Sequence, residues 1–185
     1  MKNNTVIGLF SAVIALQLAV PSSMLLKREM ALQHGQEFRF KTAPVDPYDA
    51  FRGRYVALRA DAGQGPKVGN KDMQYGSIAY AQIGVDDQGY AKIVQVSGER
   101  PKNVPYIAAK VTYQSGDQVN VNLPIDRYYM EEKAAPKAEQ LYLRSSRQTQ
   151  NDTYINVRIK DGFAVIEGLY INGQRIEEAV RNTKT

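Results

Sequence analysis

Two short segments hold most of the charged and aromatic side chains that could do chemistry together. The candidate residues of the first segment, residues 44–58, are Asp46, Asp49, Arg52, Arg54 and Tyr55. The second segment, residues 123–131, carries an arginine, two tyrosines and a glutamate, namely Arg127, Tyr128, Tyr129 and Glu131. If the two segments lie side by side, bidentate arginine–carboxylate pairs can join them, because the planar guanidinium matches a carboxylate. This composition predicts a polar groove rimmed by the three tyrosines, with a peptide or a glycan as its ligand.

The same residues also support a purely structural interpretation. Asp46 and Asp49 are natural turn residues, and Pro44 and Pro47 fix the backbone around them. Gly53 permits a tight entry into the next strand. Because loops pinned by arginines and turn residues are common in β domains, this structural interpretation is favoured over the groove.

Most enzymatic chemistries find little support in the composition. The chain has no cysteine and one histidine, His34, which excludes thiol nucleophiles and the usual Cys- or His-rich metal sites. Glu131 and Glu132 are adjacent and would face opposite ways on a strand, whereas a glycosidase holds two carboxylates across a cleft. The Asp86–Gly89 turn lacks the ligand pattern of a calcium loop. No metal site and no cofactor are predicted.

One catalytic alternative remains, a Ser/Lys hydrolase that resembles signal peptidases. Ser23 follows an apolar N-terminal segment and precedes Met24, as a nucleophile would, but the spacing is one residue short. A lysine with a desolvated amine would have to act as its base, and Lys92 and Lys110 are the candidates. Whether the chain is an enzyme stays open at this point, with a non-catalytic role favoured.

The N-terminal segment predicts a membrane element. Residues 6–26 form a stretch of 21 residues with no charge and one large polar side chain, Gln17. This is close to the ~20 residues that cross a bilayer as a helix. An uncleaved anchor is favoured over a cleaved signal peptide, because Pro21 is awkward between the small residues that cleavage needs. Pro21 is also expected to end or kink the helix near its outer edge, although Leu25 to Leu32 can continue it.

The orientation of this segment is open from charge alone. Lys2 precedes it, whereas Lys27, Arg28, Arg39 and Lys41 follow it. Read literally, the positive-inside rule places the remainder of the chain in the cytoplasm. Glu29 and Glu37 weaken that bias, and large domains translocate largely regardless of charge.

The remainder of the chain alternates polar and apolar residues with period two. Such runs occur at residues 37–41, 54–60, 77–85, 90–97, 106–113, 118–123, 153–160 and 163–169, and the last run can extend to residues 170–171. Turn residues separate them, and Asp161-Gly162 and Asn172-Gly173 favour two-residue hairpin turns. Eight or so short strands predict a mainly β fold, an antiparallel β sandwich or a partly open barrel.

Other features of this part are few. One helix is predicted at residues 137–146, with Pro136 in its first turn and Ala138, Leu141 and Tyr142 on one face. Gly63 to Asn70, rich in glycine, is predicted as a loop. The net charge is +5, but the basic residues are scattered and carry no nucleic-acid-binding motif, so nucleic-acid binding is not expected.

The first segment also carries a family resemblance. It resembles the GDYXXLXY signature, Pro-Val-Asp-Pro-x-Asp-x-x-Arg-Gly-Asp-Tyr-x-x-Leu-x-Tyr, and matches it at Pro44, Val45, Asp46, Pro47, Asp49, Arg52, Gly53, Tyr55 and Leu58. It departs at Arg54 and Ala60, where the family has Asp and Tyr. The run Leu123-Pro124-x-Asp126-Arg127-Tyr128-Tyr129-x-Glu131 fits a second family segment, and the Asp161-Gly162 hairpin fits the C-terminus.

The resemblance implies a small bacterial membrane-anchored protein whose biochemical role is not established. Members often accompany multi-pass membrane proteins, which implies such a partner and an extracytoplasmic domain on the cytoplasmic membrane. The predicted organisation is a short tail at 1–5, a transmembrane anchor or signal segment at 6–26, a juxtamembrane linker at 27–36 and a single β domain at 37–185. The predicted function is a non-catalytic accessory or interaction domain, which contacts the lipid bilayer through its N-terminal helix.

Overall fold

The computed structural model describes residues 2–43, 55–60, 62–69, 72–146, 148 and 152–182. Its helices are α1 (Lys2–His34), α2 (Ala135–Ser146) and α3 (Ile176–Asn182). Its strands are β1 (Gln36–Ala43), β2 (Tyr55–Ala57), β3 (Arg59–Ala60), β4 (Gln64–Val68), β5 (Ile78–Val85), β6 (Ala91–Ser97), β7 (Tyr106–Ser115), β8 (Gln118–Asn122), β9 (Arg127–Tyr129), β10 (Thr153–Lys160), β11 (Phe163–Ile171) and β12 (Gln174–Arg175).

Helix α1 is the apolar segment that the sequence predicts. Its part from Val6 to His34 is long and apolar enough to cross a membrane, and its most apolar stretch is not buried against the rest of the chain. The helix runs through Pro21 and ends at His34, so the predicted linker is helical up to residue 34. A proline removes one backbone hydrogen bond, but the helix continues on both sides of Pro21.

Gly35 follows the end of α1, at the point where the helix packs against β10 of the sheet. Its N–H donates to the Ala31 carbonyl at 2.8 Å, and Ala31 is buried. A Cβ on Gly35 would collide with that carbonyl oxygen and crowd Arg158 of β10. The absence of a side chain at this position therefore lets β1 begin directly beside the end of the helix.

The first sheet contains five strands in the order β12-β11-β10-β1-β3. The central pairs are antiparallel, with Phe38 opposite Val157 and Phe40 opposite Ile155. Both pairs are buried, because alternate residues of each strand face the core. A separate antiparallel pair is formed by β2 and β9.

The second sheet is a closed five-stranded barrel in the order β4-β6-β5-β7-β8. Its interior is filled by small aliphatic side chains, among them Ala79, Ala81, Val111 and Val119. The pairs are antiparallel except for β4 with β6, which run parallel and close the barrel.

The prediction of a loop at residues 63–70 is wrong, because β4 occupies most of that stretch. Proline and glycine are unfavourable in strands, so local propensity does not reveal this one. A Cβ on Gly65 would collide with the Ile93 side chain of β6. The glycine is required by the close approach of two strands that are distant in sequence.

The predicted helix at residues 137–146 is confirmed as α2, with Ala138 and Tyr142 buried. Helix α3 is an addition that the period-two pattern does not predict. Both two-residue turns are also confirmed, since Asp161, Gly162, Asn172 and Gly173 all have positive φ. One cluster of buried apolar residues extends through both sheets. The chain is mainly β with an N-terminal apolar helix, as the sequence predicts, and its barrel is a closed one.

Candidate functional site

The structure brings together the two segments that carry the candidate site residues. Strand β2 pairs antiparallel with β9, with Tyr55 opposite Tyr129, Val56 opposite Tyr128 and Ala57 opposite Arg127. The pairing continues one residue further, where the Leu58 N–H donates to the Asp126 carbonyl at 2.9 Å. We call this pair the signature ribbon.

One face of the signature ribbon belongs to the hydrophobic core. Val56, Leu58 and Tyr128 are all buried, as period-two alternation requires for a strand with one inward face. Arg127 and Tyr129 therefore project from the opposite, outer face, and 64% of Tyr129 is exposed. The ribbon thus fixes two polar or aromatic side chains at the surface.

Tyr128 lies inside rather than on the rim of a groove. Its hydroxyl donates to the Glu177 carboxylate at the start of α3. Burial, followed by this hydrogen bond, raises the pKa of Tyr128 to about 12. The second oxygen of Glu177 lies 3.2 Å from Arg175 Nε, an ion pair without hydrogen-bond alignment. Tyr128 thus ties the signature ribbon to the C-terminal helix.

The remaining predicted site residues of the second segment are exposed. Arg127 Nε lies 3.6 Å from Asp126 Oδ2, a contact between chain neighbours. Glu131 is exposed, and its backbone carbonyl accepts hydrogen bonds from Ala134 and Ala135 at the start of α2.

Seven predicted residues of the first segment lie outside the described residues, as does the side chain of Tyr55. They are Pro44, Asp46, Pro47, Asp49, Arg52, Gly53 and Arg54. Their predicted arginine–carboxylate pairs and turn-capping roles stay predictions. Leu58, the described apolar residue of the signature, packs in the core.

A pocket of about 170 Å³ adjoins the outer face of the signature ribbon. It lies between α1, the ribbon and the start of β11. Its walls include Arg28 of α1, Arg127 and Tyr129 of β9, and Phe163 of β11. Arg28 was not among the predicted site residues, since its position in the sequence indicates only the end of a membrane segment. Its lining thus combines two arginines with three aromatic residues, since the buried Tyr128 also contributes to it.

The serine and the two candidate lysines of the hydrolase alternative lie at exposed positions. The Ser23 hydroxyl donates to the Val20 carbonyl one turn earlier in α1 at 2.7 Å. Lys92 and Lys110 are exposed on barrel strands, whereas a lysine base needs a desolvated amine. Among the described residues, no group of three His, Asp or Glu side chains is placed to hold a metal ion.

An arginine that sequence reasoning missed joins the helix to the sheet. Arg158 of β10 contacts Glu37 of β1 at 3.0 Å and Glu167 of β11 at 2.8 Å, and it donates to the Gly35 carbonyl at 3.4 Å. The Glu167 hydrogen bond is the main cause that raises the pKa of Arg158. Alternation predicted only the strand, because two of the partners, Glu37 and Gly35, lie more than a hundred residues away in the sequence.

The comparisons with known proteins give one match. The sequence profile described as GDYXXLXY protein matches residues 17–169. No curated protein and no solved structure matches significantly. Since the profile covers most of the chain, including both segments of the signature ribbon, the chain belongs to the GDYXXLXY family.

Proposed function

We propose that the chain is a single-span protein of the bacterial cytoplasmic membrane whose β-rich part is an extracytoplasmic, non-catalytic interaction domain. Its partner is a membrane or envelope component, with a multi-pass membrane protein as the first candidate. The observation that carries the proposal is the signature ribbon, which presents Arg127 and Tyr129 beside the end of the apolar helix.

Anchoring is supported by the exposed apolar surface of α1. Leu9, Phe10, Leu16 and Leu25 each expose more than half of their surface. Each such side chain gains about 1.5–3 kcal/mol when it leaves water, so a bilayer is the environment that suits this helix. The seating of Ala31 and Gly35 on the sheet supports a retained anchor, because it holds the β-rich part against the end of the helix.

The place of the signature ribbon supports a partner in the same membrane. A partner in the same membrane is close to the surfaces near the end of the anchor, and the ribbon lies beside Arg28 there. Tyrosine and arginine are also the residues that most often dominate the energy of protein interfaces.

Affinity purification of the full chain from its native membrane in mild detergent tests the interaction. We expect a stoichiometric multi-pass partner, and we expect Tyr129→Ala to reduce its recovery. Tyr113→Ala is the matched control, because Tyr113 is equally exposed, at 63%, but lies on the barrel. Ser23→Ala should leave recovery unchanged. Equal recovery with the two tyrosine variants would remove the ribbon from the interface, and a chain purified alone would contradict the proposal.

The topology is tested separately with cysteine labelling. The chain has no cysteine, so Glu99→Cys in the exposed part of the barrel region gives a single reporter. An impermeant maleimide should label it in intact spheroplasts. Labelling only after lysis would place the domain in the cytoplasm.

A further inference from the structure

The pocket beside the signature ribbon has one wall on the apolar helix. Arg28 lies three residues before the buried Ala31, so it flanks the side of α1 that packs on the sheet. Lys27 is the neighbouring cation on the same turn, but it is not among the residues that line the pocket. Of the two adjacent basic residues, Arg28 therefore lines the pocket and Lys27 does not.

The depth of Arg28 follows from the length of the helix. The 21 uncharged residues from Val6 to Leu26 span about 32 Å at 1.5 Å per residue, close to the ~30 Å hydrocarbon core of a bilayer. Arg28 lies two residues further, about 3 Å beyond that core, within the headgroup layer of roughly 5–7 Å on each side. The phosphate groups of phospholipids lie at this depth.

The other walls complete the chemistry of a phosphate site. Arg127 adds a second guanidinium, and planar guanidinium groups bind phosphate through paired hydrogen bonds. Arg127 Nε lies 3.6 Å from Asp126 Oδ2, and both side chains are about half exposed. Tyr129 and Phe163 are exposed aromatic residues of the kind enriched at membrane interfaces.

The size of the pocket fits a headgroup. Its volume of about 170 Å³ is far above the ~10–15 Å³ that a single water needs on the same measure. A phosphate group with part of its glycerol has room there, while the acyl chains can stay in the bilayer next to α1.

We propose that the pocket lined by Arg28, Arg127, Tyr129 and Phe163 binds the phosphate of an anionic phospholipid headgroup. This inference rests on the membrane anchoring proposed above. The bound lipid would hold the signature ribbon at a fixed height over the membrane, in addition to the seating of Ala31 and Gly35.

Native mass spectrometry of the full chain in detergent tests the inference. Phosphatidylglycerol and phosphatidylcholine are titrated in turn, and the lipid retained per chain is measured. We expect selective retention of phosphatidylglycerol, reduced about fivefold by Arg28→Ala and again by Arg127→Ala, the effect of losing one basic contact at a membrane surface. Lys27→Ala removes the same charge at the same depth and should leave retention unchanged.

Several outcomes would overturn the inference. Equal losses for Lys27→Ala and Arg28→Ala would indicate general attraction to an anionic surface rather than a pocket. Displacement of the lipid by inorganic phosphate at comparable concentration would indicate a soluble anion as the ligand. Unchanged lipid retention combined with loss of a copurified protein would assign both arginines to a protein interface.

Two controls separate this inference from folding and from the proposed anchor. Arg127→Lys keeps the charge but loses the planar fork, and it should lower retention even if Arg127→Ala unfolds. Flotation with phosphatidylglycerol vesicles reports anchoring by itself. A chain that floats without retaining phosphatidylglycerol in detergent overturns the lipid site alone, whereas a chain that does not float overturns the anchor as well.

Discussion

The barrel and the five-stranded sheet are built in different ways. The barrel interior is filled by small aliphatic residues such as Ala79, Ala81 and Val119, and its chain runs continuously from β4 to β8. The sheet combines β1 with strands more than a hundred residues later. It also carries charged contacts such as those of Arg158, and it seats the apolar helix. The sheet is therefore the part of the fold that contacts both the barrel and the apolar helix α1.

The two parts meet at the Asp161-Gly162 turn. The Ala108 N–H of β7 donates to the Gly162 carbonyl at 3.0 Å, and Ile107 forms a bridge with Gly162. A continuous cluster of apolar residues joins the interiors. The difference in construction thus does not imply independent folding, and the following variants test how tightly the parts are coupled.

The largest effect is expected from the core of the sheet. Phe40 of β1 is fully buried, and truncation of such a side chain typically costs 3–5 kcal/mol. We expect Phe40→Ala to lower the free energy of unfolding by about 4 kcal/mol, measured by urea denaturation of the detergent-solubilised chain. Hydrogen exchange should show loss of protection in barrel and sheet together, because one cluster spans both.

Phe163→Ala is the control for that variant. Phe163 lies on the same sheet but is 45% exposed, so its truncation should cost less than about 1 kcal/mol. If Phe40→Ala loses protection from hydrogen exchange in the sheet but keeps it in β5–β8, the barrel is stable without the sheet.

The second effect concerns the turn that joins the two parts. Gly162 has φ +83°, and an added Cβ would approach the Tyr106 ring to 2.5 Å. Gly173 occupies the equivalent place in the other turn, with φ +79° and open space around it. We expect Gly162→Ala to cost about 3 kcal/mol in thermal or urea unfolding and Gly173→Ala about 1 kcal/mol. Equal losses of unfolding free energy in the two variants would mean that only the positive φ is costly. The Tyr106 side chain would then move aside at little cost.

Much of the fold could be predicted because its signals are local. Alternation at residues 77–85 and 153–160 gave strands that the structure contains, and the Asp-Gly and Asn-Gly pairs gave both hairpin turns. The apolar run at residues 6–26 likewise gave the helix, since a single segment determines its character.

What could not be predicted depends on residues far apart in sequence. Strand β4 was missed because Gly65 and Pro66 disfavour a strand locally, while closure of the barrel requires one. The hydrogen-bond partner of Tyr128 is Glu177, 49 residues later in the sequence. Only the fold shows that Arg28 and Arg127 line the same pocket, although they are far apart in the sequence. Period-two alternation identifies strands, but not which strands become neighbours.

A third effect concerns the contribution of Tyr128 in the signature ribbon to stability at high pH. The pKa of Tyr128 is raised from 10.0 to about 12 by burial and by the Glu177 hydrogen bond. The protonated phenol therefore stabilises the folded chain fully below pH 10, and this contribution is lost as pH rises towards 12. We expect a loss of about 2 kcal/mol over that range from this residue, measured by unfolding at a series of pH values.

Tyr128→Phe is the matched variant for the pH series, because it keeps the ring and removes the titrating group. It should flatten most of the decline between pH 10 and 12. Tyr90 also has its pKa raised to about 12, by burial and by its bond to Asp152. Tyr90 is only partly buried, so Tyr90→Phe should flatten the decline less. An unchanged slope with Tyr128→Phe would show that the ribbon is not tied to α3 in this way.

The smallest effect is expected at the junction between the helix and the sheet. The Arg158 side chain, 26% exposed, contacts two carboxylates and the Gly35 carbonyl. Arg158→Met keeps much of the volume but leaves Glu37 and Glu167 without this cation. We expect a loss of about 1 kcal/mol, which shrinks as salt is added because screening weakens exposed charge contacts. Lys160→Met, two residues along the same strand, removes only a 3.8 Å contact with the exposed Asp161 and should change stability by less than ~0.5 kcal/mol.

The local consequence of Arg158→Met separates the junction from the rest of the sheet. The Gly35 amide donates to Ala31 at the end of α1, so its hydrogen exchange reports whether the helix stays seated. Faster exchange at Gly35 with unchanged exchange in β5–β8 would mean that Arg158 holds the helix and not the barrel. Unchanged hydrogen exchange at Gly35 would mean that the packing of Ala31 holds the helix on the sheet. The charge contacts of Arg158 would then stabilise the sheet only.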